Sequence, residues 1–127
     1  MQTPDIEVIA DGDIAVPRDE HIFAHTMVNF YRKDVKHMTR RVYLEDAADI
    51  DSFFRHAAAA MLIDITGGCV LKVKVNNREP MAIMKGCMDD FDEFLQMVRG
   101  ADCWKVKEEK GFEVETRCVV EVRLLSC

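Results

Sequence analysis

The sequence has no Cys-x-x-Cys pair, no His-Glu-x-x-His run, no EF-hand spacing and no glycine cluster leading into a helix. These absences remove the strongest sequence signatures of zinc ribbons, helix-borne zinc hydrolases, calcium loops and phosphate loops. "DITGGC" does hold adjacent glycines, but Gly67 and Gly68 follow a predicted helix instead of opening one, so they read as a helix stop. The longest unbroken apolar run, Ala57–Ile63, is too short to span a bilayer and is mostly alanine. The first residues, "MQTPDIEVIADGD", are acidic and hold no apolar segment, so a secretory leader is not expected. Cys127 follows "LLS" with nothing after it and makes no prenylation box. Internal repeats, low-complexity tracts and linkers are missing as well.

What remains suits a packed globule. The 127 residues are 49% apolar and 31% charged, with a net charge of −6. A chain of this length forms one domain, expected over 1–127, and buries roughly two-thirds of its unfolded surface. The acidic balance argues against a protein whose whole surface binds nucleic acid. The five cysteines are odd in number and widely spaced. They are expected to be reduced, several as small buried hydrophobes, in a cytoplasmic protein.

Period-two alternation is longest in "FEVETRCVVEVRL", Phe112–Leu124. It predicts one strand with Cys118, Val120, Val122 and Leu124 inward and Val119 out of pattern. Its expected hairpin partner is "DCWKVKEEKG", joined by a three-residue loop at Glu109–Gly111 that sets Val106 against Val114 and Trp104 against Thr116. A second hairpin, "CVLKVKVNNREPMAIMKG", is expected to turn at Asn76–Arg78. That turn pairs Val73 with Met81 and Leu71 with Ile83, and Pro80 marks a strand start or an edge. Helices are predicted over Ala47–Ile65, capped by Asp46 and closed by Gly67 or Gly68, and over Asp89–Arg99, with acids in the first turn. A strand is expected in "HMTRRVYLE".

From residue 38 to 125 the order is therefore strand, helix, strand, strand, helix, strand, strand. The fold expected is α+β: an antiparallel sheet with a ferredoxin-like βαββαβ core, an extra C-terminal strand and two helices on one face. Residues 1–37 form an amino-terminal extension. "IEVIA" and "DIAV" suggest short strands around Asp11–Asp13. In "PRDEHIFAHTMVNFYRK", Pro17 and the early acids favour a helix, although Ile22, Ala24, Thr26, Val28 and Phe30 also alternate as in a strand.

Two places carry candidate site chemistry. In "DEHIFAH", a helix would set His21 and His25 one turn apart on one face, with Glu20 or Asp19 adding an oxygen ligand or a base. A strand would hold the two imidazoles about 13 Å apart, too far for one ion. In "FYRKDVKHMTRRVY", Arg32, Lys33, Lys36, Arg40 and Arg41 bring five cations within ten residues, with Phe30, Tyr31 and Tyr43 beside them. Such a segment fits phosphate or nucleic acid. No nucleophile–base pair can be assembled from the sequence, and no cofactor is implied. The leading expectation is a non-catalytic binding or assembly protein acting through its surface, with a protein partner or a second copy of itself in a homo-oligomer. Nucleic acid is the alternative partner, a metal-dependent enzyme at His21/His25 is the next, and no membrane is involved.

Overall fold

The computed structural model describes residues 6–8, 15–32, 35–76, 78–104, 108–109, 112–113 and 117–127. Among the described residues, five strands build one sheet: β3 (Thr26–Phe30), β4 (Arg40–Tyr43), β5 (Val70–Val75), β6 (Met81–Met84) and β9 (Cys118–Ser126). Their spatial order is β4-β3-β9-β5-β6. Two helices, α2 (Ile50–Met61) and α3 (Met88–Arg99), and a short α1 (Asp19–Ala24) contribute to a common core with the sheet. Separate two-stranded pairs join β1 (Ile6–Val8) to β2 (Ala15–Pro17) and β7 (Glu108–Glu109) to β8 (Phe112–Glu113).

Side-chain alternation dictates which face of the sheet is sealed. Val28, Phe30, Leu71, Val73, Val75, Ile83, Cys118, Val120 and Val122 are buried. They stand in register across the strands, as in Val28 opposite Val120 and Val122 opposite Val73. α2 presents Ile50, Phe53, Phe54, Ala57, Ala60 and Met61 to this face, and α3 presents Phe91, Phe94, Leu95 and Val98. Both are amphipathic stripes at helical spacing. Phe53 is the hub: its ring lies 5.6 Å from Phe30, 5.5 Å from Phe91 and 5.3 Å from Phe94. It therefore ties α2 to α3 and to β3 through edge and tilted aromatic contacts.

The α+β class holds, but the sheet is mixed. β3 runs parallel to β9 and antiparallel to β4. The expected antiparallel, ferredoxin-like arrangement does not form, because the segment read as an extension supplies β3. This strand inserts between the "TRRVY" strand and the carboxy-terminal strand. The competing helix and strand patterns in that segment are both present, in succession: α1 ends at Ala24 and β3 begins at Thr26. Thr26 marks the switch, its hydroxyl donating to the Ile22 carbonyl at 2.6 Å.

The expected strand Phe112–Leu124 is divided. Phe112–Glu113 pairs with Glu108–Glu109, and only Cys118–Ser126 enters the large sheet. The pairing of Glu109 with Phe112 leaves two residues between the strands, not three. The three-residue loop was inferred by aligning both strands on one core face. β7 and β8 belong to a separate sheet, so that constraint does not apply to them. Val106, Val114 and Thr116 lie outside the described residues. Trp104 is not in a strand; it ends a 3-10 turn, Asp102–Trp104. The β5–β6 hairpin has the expected register, Val73 with Met81 and Leu71 with Ile83, and β6 lies at the sheet edge just after Pro80.

Helix α2 is shorter than predicted. Leu44–Ala47 is a separate 3-10 turn, and the cap is Asp49, not Asp46. Asp49 Oδ1 accepts the Ser52 backbone N–H at 2.8 Å and Oδ2 accepts the Ser52 hydroxyl at 3.0 Å. These hydrogen bonds from Ser52 hold the carboxyl below the usual aspartate range. The helix stops at Leu62, in a left-handed conformation (φ 57°), before the glycines are reached. A disulfide joins Cys69 to Cys127, across a sequence separation of 58 residues. The expectation of five reduced cysteines is corrected to three: Cys87, Cys103 and Cys118. The pairing joins the start of β5 to the end of β9, which the β5–β9 ladder makes neighbours.

Candidate functional site

With the helices packed on one face, the other face of the sheet is left uncovered by them. The residues between the core positions point there: Arg41 and Tyr43 on β4, Met27 and Asn29 on β3, Val119, Glu121 and Arg123 on β9, Lys72 and Lys74 on β5. Register aligns them in cross-strand rows. One row runs Arg41, Asn29, Glu121, Lys74. Another runs Tyr43, Met27, Val119. Arg41, Lys72, Lys74 and Val119 are exposed. Arg117, just before β9, is also exposed and lines the same surface.

Local contacts fix several of these groups. Arg41 Nε donates to Asn29 Oδ1 at 2.9 Å, and Asn29 is 7% exposed. Arg123 Nε donates to Glu121 Oε2 at 3.0 Å, and its guanidinium lies 4.1 Å from the Tyr31 ring centroid. The face thus presents Arg41, Lys72, Lys74, Arg117 and Arg123, with the Glu121 carboxylate paired to Arg123. Cations from three strands stand on this side of the sheet in a chain of net charge −6.

The basic segment read from the sequence does not stay together. Arg40 pairs with Phe30 on the helix side, and its Nε donates to His56 Nδ1 of α2 at 3.1 Å. Arg41 points to the opposite face, as strand alternation requires. Arg32 and Lys36 are exposed in the β3–β4 connection, and Lys33 lies outside the described residues. The cations that gather with Arg41 come from β5 and β9, distant in sequence. The alternation of Lys72 and Lys74 was visible beforehand; their juxtaposition with Arg41 needed the strand order.

His21 and His25 do meet on α1, with ring centroids 4.0 Å apart and planes inclined by 22°. His25 Nδ1 lies 2.9 Å from the His21 carbonyl, a contact in which the ring N–H donates. The Trp104 ring stands edge-on to His21 at 6.1 Å. Asp19, one of the suggested oxygen ligands, is engaged by Arg99 at 3.0 and 3.2 Å, while Glu20 is exposed. Among the described residues no group of three or more histidine, cysteine or acidic side chains is arranged to hold an ion. The arrangement of the pair is accounted for by ring stacking and a helix-terminal hydrogen bond.

A feature that the sequence reading missed lies where β5 ends and β9 begins. Lys74, Asn76, Cys103, Arg117, Val119 and Glu121 line a recess of about 570 Å³. Cys103 sits half-buried in the Asp102–Trp104 turn. Trp104 anchors that turn, 2% exposed, with its indole N–H donating to the Val98 carbonyl at 2.7 Å. Cys118, the first residue of β9, is fully buried opposite Thr26. Asn76 and Cys103 both line the recess. Asn76 has a left-handed backbone (φ 49°), and its Oδ1 accepts the Val119 N–H at 2.9 Å.

The environments of the two thiols split their acidities. The hydrogen-bonding influence of Cys118, with help from Asn76 and against the effects of burial and of the Asp102 charge, lowers Cys103 to about 7. The hydrogen-bonding influence of Cys103, followed by burial, pushes Cys118 far above the usual thiol range. Nothing in the sequence spacing signalled this pair, because Cys103 and Cys118 are joined by folding, not by a short motif.

The architecture defines an α+β protein with a five-stranded mixed sheet covered by helices on one face. No family model, no curated protein and no solved structure matches the chain. Among the described residues no helix is long and apolar enough to cross a membrane.

Proposed function

We propose that the protein is a non-catalytic binding protein whose working surface is the face of the sheet opposite the helices, and that its ligand is single-stranded nucleic acid. One observation carries the reading: cations from β4, β5 and β9 collect on that face although the chain as a whole is acidic. Arg41, Lys72, Lys74, Arg117 and Arg123 supply phosphate contacts. Tyr43, 42% exposed, offers a ring on which a base stacks. The reading replaces a sequence-local basic segment with a surface assembled from separate strands.

The test is anisotropy of a labelled single-stranded oligonucleotide with the full chain across salt. Neutralising three or four phosphates weakens binding roughly 20- to 50-fold over a fourfold rise in salt. No binding at low salt, or a flat salt response, rejects the reading.

A second reading is self-assembly through the same face. Tyr43, Met84, Val119 and Leu125 are large exposed apolar side chains, and they support a homo-oligomer. Like charges weigh against it, since a two-fold pairing of this face sets cations near cations. Solution mass measured without oligonucleotide separates the two. A dimer that dissociates when oligonucleotide is added makes assembly and binding compete for one surface. For location, the composition supports the cytoplasm and the Cys69–Cys127 bond supports an oxidising compartment. We retain the cytoplasm, where that bond equilibrates with the thiol pool.

A further inference from the structure

We propose that a recess between α2 and the connection from β6 to α3 is a binding site for a free α-amino acid with an aliphatic side chain. Asp51, Phe54, Arg55, Ala58, Ile65 and Lys85 line it, around a volume of about 290 Å³. It is built on α2, so the inference is independent of what the opposite face of the sheet binds.

Three segments of backbone meet there. Asp51, Phe54, Arg55 and Ala58 follow the spacing i, i+3, i+4, i+7 and form one stripe of α2. The connection from α2 to β5 supplies Ile65, and the connection from β6 to α3 supplies Lys85. Lys85 is held by its backbone. Its N–H donates to the Cys69 carbonyl at 2.9 Å, and the turn around it closes where the Cys87 N–H donates to the Met84 carbonyl at 3.0 Å. Gly86 supplies the left-handed residue of that turn (φ 83°).

The charged groups of the lining are open to a ligand. Among the described residues no ion pair engages Asp51, Arg55 or Lys85. The Asp49 carboxylate acts on Arg55 electrostatically, but its oxygens accept from Ser52. The lining therefore carries two cations and one carboxylate. A simple anion would leave Asp51 facing a like charge, whereas a zwitterion meets all three. Its carboxylate fits between Arg55 and Lys85, and its ammonium fits Asp51. Asp51 and Arg55 are neighbours across one helical turn, about 5–6 Å apart at Cβ, which suits two opposite charges borne on a single carbon.

The rest of the wall is apolar. Phe54 is 3% exposed, and Ala58 and Ile65 are half-buried. An aliphatic side chain covers them and loses water in doing so. The volume stands at the lower limit of small-molecule sites, roughly 300 Å³, and matches a single amino acid better than a peptide.

The experiment follows amide chemical shifts of the isotope-labelled full chain at neutral pH while three probes of one shape are added. They are leucine, isocaproate, which lacks the ammonium, and isoamylamine, which lacks the carboxylate. Leucine is expected to shift amides around Asp51–Ala58, Ile65 and Lys85 saturably, with a Kd on the order of 1 mM, since the charges are partly in water. Each truncated probe is expected to bind roughly tenfold more weakly, one charge-assisted contact being lost. Asp51→Asn should bring leucine down to the affinity of isocaproate and leave isocaproate unchanged. Lys85→Met should weaken both. Absence of saturable shifts with leucine about twentyfold above that Kd, shifts confined to other parts of the molecule, or equal wild-type affinities for leucine and isocaproate overturn the proposal without recourse to any variant.

Discussion

The two faces of one sheet are made by the same strands and have opposite characters. On the helix side, Val28, Phe30, Leu71, Val73, Val75, Val120 and Val122 are all 0% exposed and meet the phenylalanines of α2 and α3. On the bare side, the residues between them carry cations, a carboxylate and scattered apolar groups. The difference is a period-two code read twice. One phase is selected for packing; the other is released from that demand. The packed core and the opposite face can therefore be perturbed separately by changing neighbouring residues on one strand.

The largest effect is expected from the hub of the sealed side. Phe53→Ala removes a fully buried ring that packs with four other buried aromatics, Phe30, Phe54, Phe91 and Phe94, and should lower unfolding free energy by about 3–5 kcal/mol in urea titration. Lys74→Ala on the bare side should change it by no more than about 0.5 kcal/mol. Comparable losses at both positions would mean that the bare face is packed against something. Next in size is the Cys69–Cys127 bond. Cys127→Ser opens a loop with a sequence separation of 58, and should cost up to about 4 kcal/mol relative to the oxidised protein. No change would show that the ladder between β5 and β9 suffices by itself.

How much of this contrast was legible in the sequence follows from which interactions are local. The β5–β6 hairpin was read to the residue pair, because its loop length and alternation fix its register within one short segment. The apolar stripes of α2 and α3 were equally plain. The cap at Asp49 was missed in favour of Asp46, because both are acids before an apolar stripe and only the separate 3-10 turn decides between them. The mixed sheet was missed for a different reason. β3 has five residues following a six-residue helix, so neither periodicity dominates the window. Its place beside β9 is a parallel pairing of segments about ninety residues apart, which no local signal encodes. The same step hid the basic face and the thiol pair. Each is assembled by that strand order from residues unremarkable in their own neighbourhoods.

Arg40 and Arg41 put the contrast to its sharpest test, being adjacent in sequence and on opposite faces. If the bare side binds single-stranded nucleic acid, Arg41→Ala should weaken oligonucleotide binding and flatten the slope of log affinity against log salt by about 0.7. Arg40→Ala should leave that slope unchanged, since its guanidinium turns toward His56 on α2. Equal effects would restore the sequence-local basic segment as the binding element.

The smallest expected effect sits on the sealed side, and pH is its probe. The Asp49 carboxylate accepts both the backbone N–H and the hydroxyl of Ser52, so the folded state favours its charged form and lowers its pKa. A carboxyl depressed by folding stabilises the fold at neutral pH. That contribution fades as pH falls from the ordinary aspartate value through the lowered one. Asp49→Asn keeps an oxygen acceptor for the cap but removes the titration. Thermal melts between neutral and strongly acidic pH should therefore differ in shape: the wild type should lose more of its melting temperature on acidification than the variant. Parallel curves would mean that the cap works as a neutral acceptor, with the charge on Asp49 adding nothing to helix α2.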